Sequence, residues 1–266
     1  MKVLIEVTNE VAPKLHSHYW LDWQKAPNQL LLIEDDREFL SFSQSADTTF
    51  HDNCEGNPSR LRTLNKQFLA TFPLVNQKPT IVIGTPANTG KTKLEWVITI
   101  LHEHFHQLQF SHPKYYSALT ALALDKGDKN GLWMLNHPFP YKDSVVNLIV
   151  KEMSRNLALL NTEKSKKMAL KDHIRLKKAL NEMLSEADYR YFNLQLWQEG
   201  MARYMEILLV GDWIKNFERI PQNNFTKMEL ENVRKKYEWE LLDDLLNSCL
   251  RDQNRSYFYS LGAAEA

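Results

Sequence analysis

Residues 92–106, Thr-Lys-Leu-Glu-Trp-Val-Ile-Thr-Ile-Leu-His-Glu-His-Phe-His, decide how this chain is read. Thr92 followed three residues later by Glu95 is a capping box, in which each side chain meets the other residue's backbone N–H. The run Trp96–Leu101 is apolar except for Thr99, so the spacing predicts a helix buried on most sides. Residues four apart on a helix share a face, one turn above the other. His102 and His106 therefore present two imidazoles to one point, at a separation that one tetrahedral metal accepts. Glu103 lies beside that face, where its carboxylate can reach a water without taking a coordination position. This is the His-Glu-x-x-His arrangement of zinc hydrolases. His104 points elsewhere and reads as a core histidine or a support for the ligands. Ionisable groups in so apolar a helix are costly unless they are paired or hold a metal.

Upstream of this helix the pattern is that of strands. Gln29–Glu34 and Glu38–Ser43 are apolar-rich runs around the acidic Asp35-Asp36-Arg37, which predicts a hairpin. Thr80–Gly84 reads as a strand between Pro79 and Pro86, and Asp47–Arg60, rich in Asp, Asn, Gly, Pro and Ser, as a loop. Downstream the glycines thin out and helices are expected at about 143–161, 165–186, 187–210 and 227–250. The segment Gly131–Tyr141, GLWMLNHPFPY, reads as an ordered loop, and the last residues read as part of a helix. The expected fold class is α+β. A small β-sheet lobe covers residues 1–91, and a mainly α-helical lobe covers 92–266.

Two histidines leave a third protein ligand to be found, with a fourth position kept for water. The best candidate stands in Trp197-Gln198-Glu199-Gly200-Met201-Ala202-Arg203-Tyr204-Met205-Glu206. The run EGMARYME resembles the EGxAxYxE segment of gluzincin metallopeptidases of the aminopeptidase N type, whose first Glu is the third zinc ligand. The resemblance implies a zincin-like fold with one Zn2+ between the two lobes and Glu199 as third ligand. It further implies that Gly200 and Ala202 let helices pack closely at the metal, with Tyr204 and Glu206 in supporting positions. The match covers only the two motifs. Residues 107–198 separate them, a far longer interval than in those aminopeptidases, and the GxMEN segment that engages a substrate amino terminus is absent. Arg203 stands where thermolysin-like enzymes carry an Asp that orients a histidine. The resemblance thus implies the metal site and not aminopeptidase specificity.

The activity so implied is zinc-dependent hydrolysis of a peptide bond, with Glu103 as general base. Gluzincins often take the oxyanion donor, a Tyr or His, from a downstream helix. Tyr259 is the candidate here, with Tyr257 and Arg203 behind it; simple packing of the C-terminal helix is an equal reading of Tyr259. Two alternatives stay open: a zinc hydrolase of an ester or epoxide, and a non-catalytic protein that keeps zinc structurally.

Bulk properties remove other classes. Lys plus Arg and Asp plus Glu are both 33, so no net field draws in nucleic acid or an anionic membrane. The basic stretch Lys164–Lys178 reads as the solvated face of a helix. Cys54 and Cys249, far apart, exclude a disulfide framework and a cysteine zinc site. No apolar run reaches the roughly 18 residues of a membrane span, and MKVLIEV is too short for a signal peptide. The expected partner is a peptide or protein, with no nucleic acid and no membrane span; the compartment is left open, with cytoplasmic the default in the absence of a recognisable signal peptide. Gly84-Thr-Pro-Ala-Asn-Thr-Gly-Lys-Thr92 invites a phosphate-loop reading, but five residues rather than four precede the Gly-Lys pair.

Overall fold

The computed structural model describes residues 2–16, 19–20, 22–41, 48–52, 58–128, 131–160, 166–220 and 225–266. After α1 (Lys2–His16) come strands β1 (Leu30–Ile33), β2 (Arg37–Ser41), β3 (His51–Asp52), β4 (Pro58–Leu61), β5 (Leu69–Pro73) and β6 (Pro79–Gly84). Then follow α2 (Pro86–Thr89), α3 (Lys93–Ser111), α4 (Tyr115–Ala121), α5 (Trp133–Asn136), α6 (Ser144–Leu159) and α7 (Lys166–Met183). The chain ends with α8 (Glu186–Gln195), a π-helical segment (Leu196–Gly200), α9 (Met201–Lys215), α10 (Lys227–Asn247), α11 (Leu250–Gln253) and α12 (Tyr257–Glu265). The fold class is α+β, as expected. The chain forms two compact units, Met1–Pro113 with Met205–Arg234, and Lys114–Tyr204 with Lys235–Ala266.

The first unit is built on a mixed sheet in the order β3-β4-β2-β1-β6-β5, in which only β1 and β6 pair in parallel. The expected hairpin is β1–β2, closed by Glu34 N–H donating to Arg37 O at 2.9 Å; residues 42–43 of its second run lie outside the described residues. All four residues of β1 are buried, because both faces of the sheet are covered. Leu31, Ile33, Leu40 and Val82 face one cluster with Phe50 and Val75. On the other face Thr71, paired in register with Ile81, donates to Glu103 O of α3 at 2.9 Å. The capping box at Thr92 and Glu95 is present. Trp96 Nε1 donates to Gly84 O at 2.7 Å, and Gln107 Nε2 to Gln29 O at 2.8 Å and Pro79 O at 2.9 Å. The buried helix is thus held by polar bonds to strand ends as well as by apolar packing.

Three expectations need correction. Asp47–Arg60 is not all loop: it contains β3 and the start of β4. The reason is Glu38, fully buried on β2, whose carboxylate accepts from Arg60 Nε and from the N–H groups of Thr63 and Leu64, each at 2.7 Å. A buried carboxylate without such donors would be prohibitive, so the polar β4 is drawn alongside. Gly131–Tyr141 is not all loop either, since α5 takes one turn of it. The helix expected at 187–210 begins at Glu186 and, through α8, the π segment and α9, reaches Lys215. In the would-be phosphate loop sits α2, capped by Thr85 and ended by Gly90 in the left-handed region.

The second unit packs α6, α7, α8, the π segment and α12 around one core. Val146, Val150, Met153 and Leu157 of α6 meet Leu180, Tyr191, Phe192, Leu196, Tyr257, Phe258 and Leu261. The Phe258 ring stands edge-on to Phe139 and Phe192, with centroids 5.5 and 5.6 Å apart. Asp143 caps α6, accepting from Val145 N and Val146 N at 2.9 Å. Gly200 and Gly262 lie face to face where the π segment crosses α12: a methyl on Gly200 would stand 2.3 Å from Gly262 Cα. Cys249 is reduced, while Cys54 and Lys164 lie outside the described residues. No described helix is long and apolar enough to cross a membrane.

Candidate metal centre

Helix α3 brings its two histidines together as their spacing requires. His102 Nε2 and His106 Nε2 are 3.1 Å apart, with the rings at 77°. The opposite nitrogen of each ring faces an acceptor. His102 Nδ1 lies 2.9 Å from Glu206 Oε1, and His106 Nδ1 donates to Gln109 Oε1 at 2.8 Å. Those acceptors favour the tautomer with its proton on Nδ1. Both Nε2 lone pairs then point at one another, an unfavourable arrangement unless a cation lies between them. An ion about 2.0–2.1 Å from each nitrogen, in tetrahedral geometry, needs them about 3.3 Å apart. The observed spacing fits.

Charge adds to the case. Glu103 and Glu206 are both buried, Glu206 beside His102, and carboxyl groups taken out of water are costly unless something compensates them. Glu103 Oε2 is buried with no hydrogen-bond partner among the described residues, so one oxygen on the residue that follows His102 is left to accept a proton or a water. His104 goes the other way, as its phase on the helix dictates. It packs against the Trp23 ring and bonds the backbone at Ala26, and burial pulls its pKa down to about 4, so it stays neutral at pH 7.

Glu199 stands in the π segment, buried, its Oε1 accepting from Arg255 Nη1 at 3.0 Å. The same guanidinium donates to Gln195 Oε1 at 3.2 Å and to Tyr259 OH at 3.3 Å. Burial works against the charge on Arg255, but neighbouring Tyr259 and Glu199 outweigh it and hold the pKa above its ordinary value. Buried His102, His106 and Glu199 form a cluster that could hold a metal ion. π-Helical turns recur at functional sites because the extra residue re-aims side chains without ending the helix.

The residues held in reserve behind Tyr259 are engaged elsewhere. Tyr257 OH donates to Ser154 Oγ at 2.7 Å inside the core. Arg203 pairs with Glu240 at 3.0 Å and lies over the Tyr237 ring. Sequence reasoning missed Gln109 and Arg255. Gln109 had a usable signal, three residues beyond His106 on the same helix face. Arg255 had only its four-residue spacing from Tyr259. Searches against protein-family models, curated proteins and solved structures return no match to this chain.

Proposed function

We propose that the protein is a metal-dependent hydrolase of the gluzincin kind, cleaving peptide bonds, with a zincin-like arrangement of sheet and ligand helix. His102, His106 and Glu199 would hold one divalent ion, Zn2+ being the species that two imidazoles and a carboxylate suit. The observation that carries the reading is the facing Nε2 pair, together with a buried, unpartnered oxygen on Glu103 of the same helix. When bound, such an ion makes water more acidic and polarises a carbonyl.

The remaining work falls to the chain's own residues. Glu206 and Gln109 keep protons on Nδ1 of the two histidines and so present Nε2 as the donor atoms. Arg255 grips one oxygen of Glu199 and fixes the direction in which its carboxylate points. Glu103 accepts the proton of the attacking water and returns it to the leaving amine. Tyr259, its oxygen already facing Arg255 as an acceptor, can turn its own O–H toward the developing oxyanion, a contribution on the order of 3 kcal/mol.

The test is a cleavage profile on a mixed peptide library, wild type against Glu103→Gln, with metal content measured in both. The expected result is metal-dependent cleavage abolished by chelation, and a variant that keeps its metal but not its turnover. Unchanged turnover in the metal-loaded variant would refute Glu103 as the base.

A further inference from the structure

Helix α7 turns one face inward through Ala169, His173 and Leu180. The helix carries six cations against two carboxylates, in a chain whose net charge is zero. On the outward face Lys167, Lys171, Ile174 and Lys178 follow one another at the three-to-four-residue spacing of a single stripe. Leu170 and Arg175 flank that stripe. Met168 and Ile174 are 68% and 59% exposed, and Leu170 is about half exposed. Only one of the cations turns inward: Lys177 reaches Glu265 at 2.6 Å. The carboxylates on the helix do little to offset the others. Asp172 meets Arg175 at 3.4 Å and Glu182 meets Lys178 at 3.9 Å, with all four side chains more than two-fifths exposed, where such pairs are weak.

Three large, exposed apolar side chains set among lysines on one helix are more than the single scattered ones a water-facing surface ordinarily carries. Apolar side chains interleaved with long cationic ones suit the boundary of an anionic bilayer. There the ammonium groups reach phosphate and carboxylate headgroups while Met, Leu and Ile enter the acyl edge. We propose that the outward face of α7 docks peripherally on an anionic lipid surface. This requires no membrane-crossing helix and does not rest on the hydrolase reading.

The experiment is co-sedimentation of the full chain with phosphatidylcholine vesicles, with and without phosphatidylserine, over a range of salt. Binding should require phosphatidylserine and weaken as salt rises. Lys171→Gln with Lys178→Gln should reduce partitioning roughly twenty-five-fold, at a factor of about five for each cation removed. Met168→Ser with Ile174→Ser should also reduce it while leaving the salt dependence in place. All four positions are exposed, and unchanged circular dichroism will confirm the fold of each variant. Equal binding to both vesicle types, no binding, or wild-type binding by both double variants would overturn the proposal. So would retention on double-stranded DNA at the same salt as on vesicles, which would make the face a general polyanion site.

Discussion

Adding one methyl group at Gly262 or at Gly211 should move stability in opposite directions, and the structure says by how much. At Gly262 the new Cβ would stand 2.4 Å from Leu196 O and 2.8 Å from Gly200 Cα. Both neighbours are backbone and cannot rotate aside. Carbon and oxygen meet comfortably at about 3.3 Å, so α12 must retreat by about 1 Å from the π segment. Overpacking of this kind costs about 3 kcal/mol at the upper end of its usual range. Replacing glycine within a helix returns about 1 kcal/mol. The net loss is about 2 kcal/mol, a fall in Tm of roughly 4–8 °C for a chain of this size. At Gly211, within α9, the methyl would meet nothing nearer than Arg234 Nη1 at 3.5 Å. There the helix gain stands alone, and Gly211→Ala should raise stability by about 0.5–1 kcal/mol. Thermal unfolding followed by circular dichroism, checked by urea titration, reads both. Gly200 adjoins Glu199, and α12 carries Tyr259 just beyond Arg255. Gly262→Ala should therefore also weaken metal binding, by about tenfold as for other supports of a ligand, whereas Gly211→Ala should not. If Gly262→Ala is neutral or stabilising, the close crossing does not exist in solution and the placing of Glu199 against Arg255 loses its support.

Two further predictions concern buried polar pairs. Glu206→Ala and Gln109→Leu should each weaken metal affinity by about 10–100-fold, because a ring freed at Nδ1 loses its preferred tautomer and orientation; competition against a chelating dye measures this, and unchanged affinity would remove the residue from the site. Burial raises the Glu38 carboxyl, but the N–H groups of Thr63 and Leu64 and the Arg60 guanidinium outweigh it and hold the pKa below its ordinary 4.5. A pKa depressed by folding contributes stability that is complete above the unfolded value and lost as pH falls through the folded one. Glu38→Gln should therefore destabilise at pH 7 and progressively less below about pH 4.5; a difference that does not change with pH would show the carboxylate charge to be irrelevant.

How much of this was legible in the sequence depends on how local the cause is. The α3 helix, its capping box and the meeting of His102 with His106 depend on spacings of three and four residues, and each is present. The β1–β2 hairpin is as local, with a three-residue acidic turn between two apolar runs. β4 is different. Pro58–Leu61 has no apolar alternation, and it is a strand because Glu38, some twenty residues earlier, must find donors once buried. Nothing in Asp47–Arg60 read alone reports that demand. The π segment was equally hidden, since Leu196–Gly200 has the composition of an ordinary helix, and only the crossing of Gly200 with Gly262 distinguishes it.

The site divides along the same line. Residues that would touch a metal must come from a short menu of side chains at few spacings, so a pattern search finds them. Groups that orient those residues can be almost any donor or acceptor and can arrive from anywhere in the chain. Glu206 and Gln109 were within reach, one by family resemblance and the other by helix phase, because both lie on helices that carry a candidate ligand. Arg255 lies beyond the last turn of α11; Tyr259 is within its local reach, but its guanidinium meets Glu199, 56 residues earlier, only through the fold of the second unit. Groups that select a substrate are further still from local pattern, since they answer to the shape of a molecule the chain does not contain. A metal site of the proposed kind can therefore be argued from a few residues at fixed spacings, whereas a substrate has to be measured, and the library comparison of wild type with Glu103→Gln tests the two together.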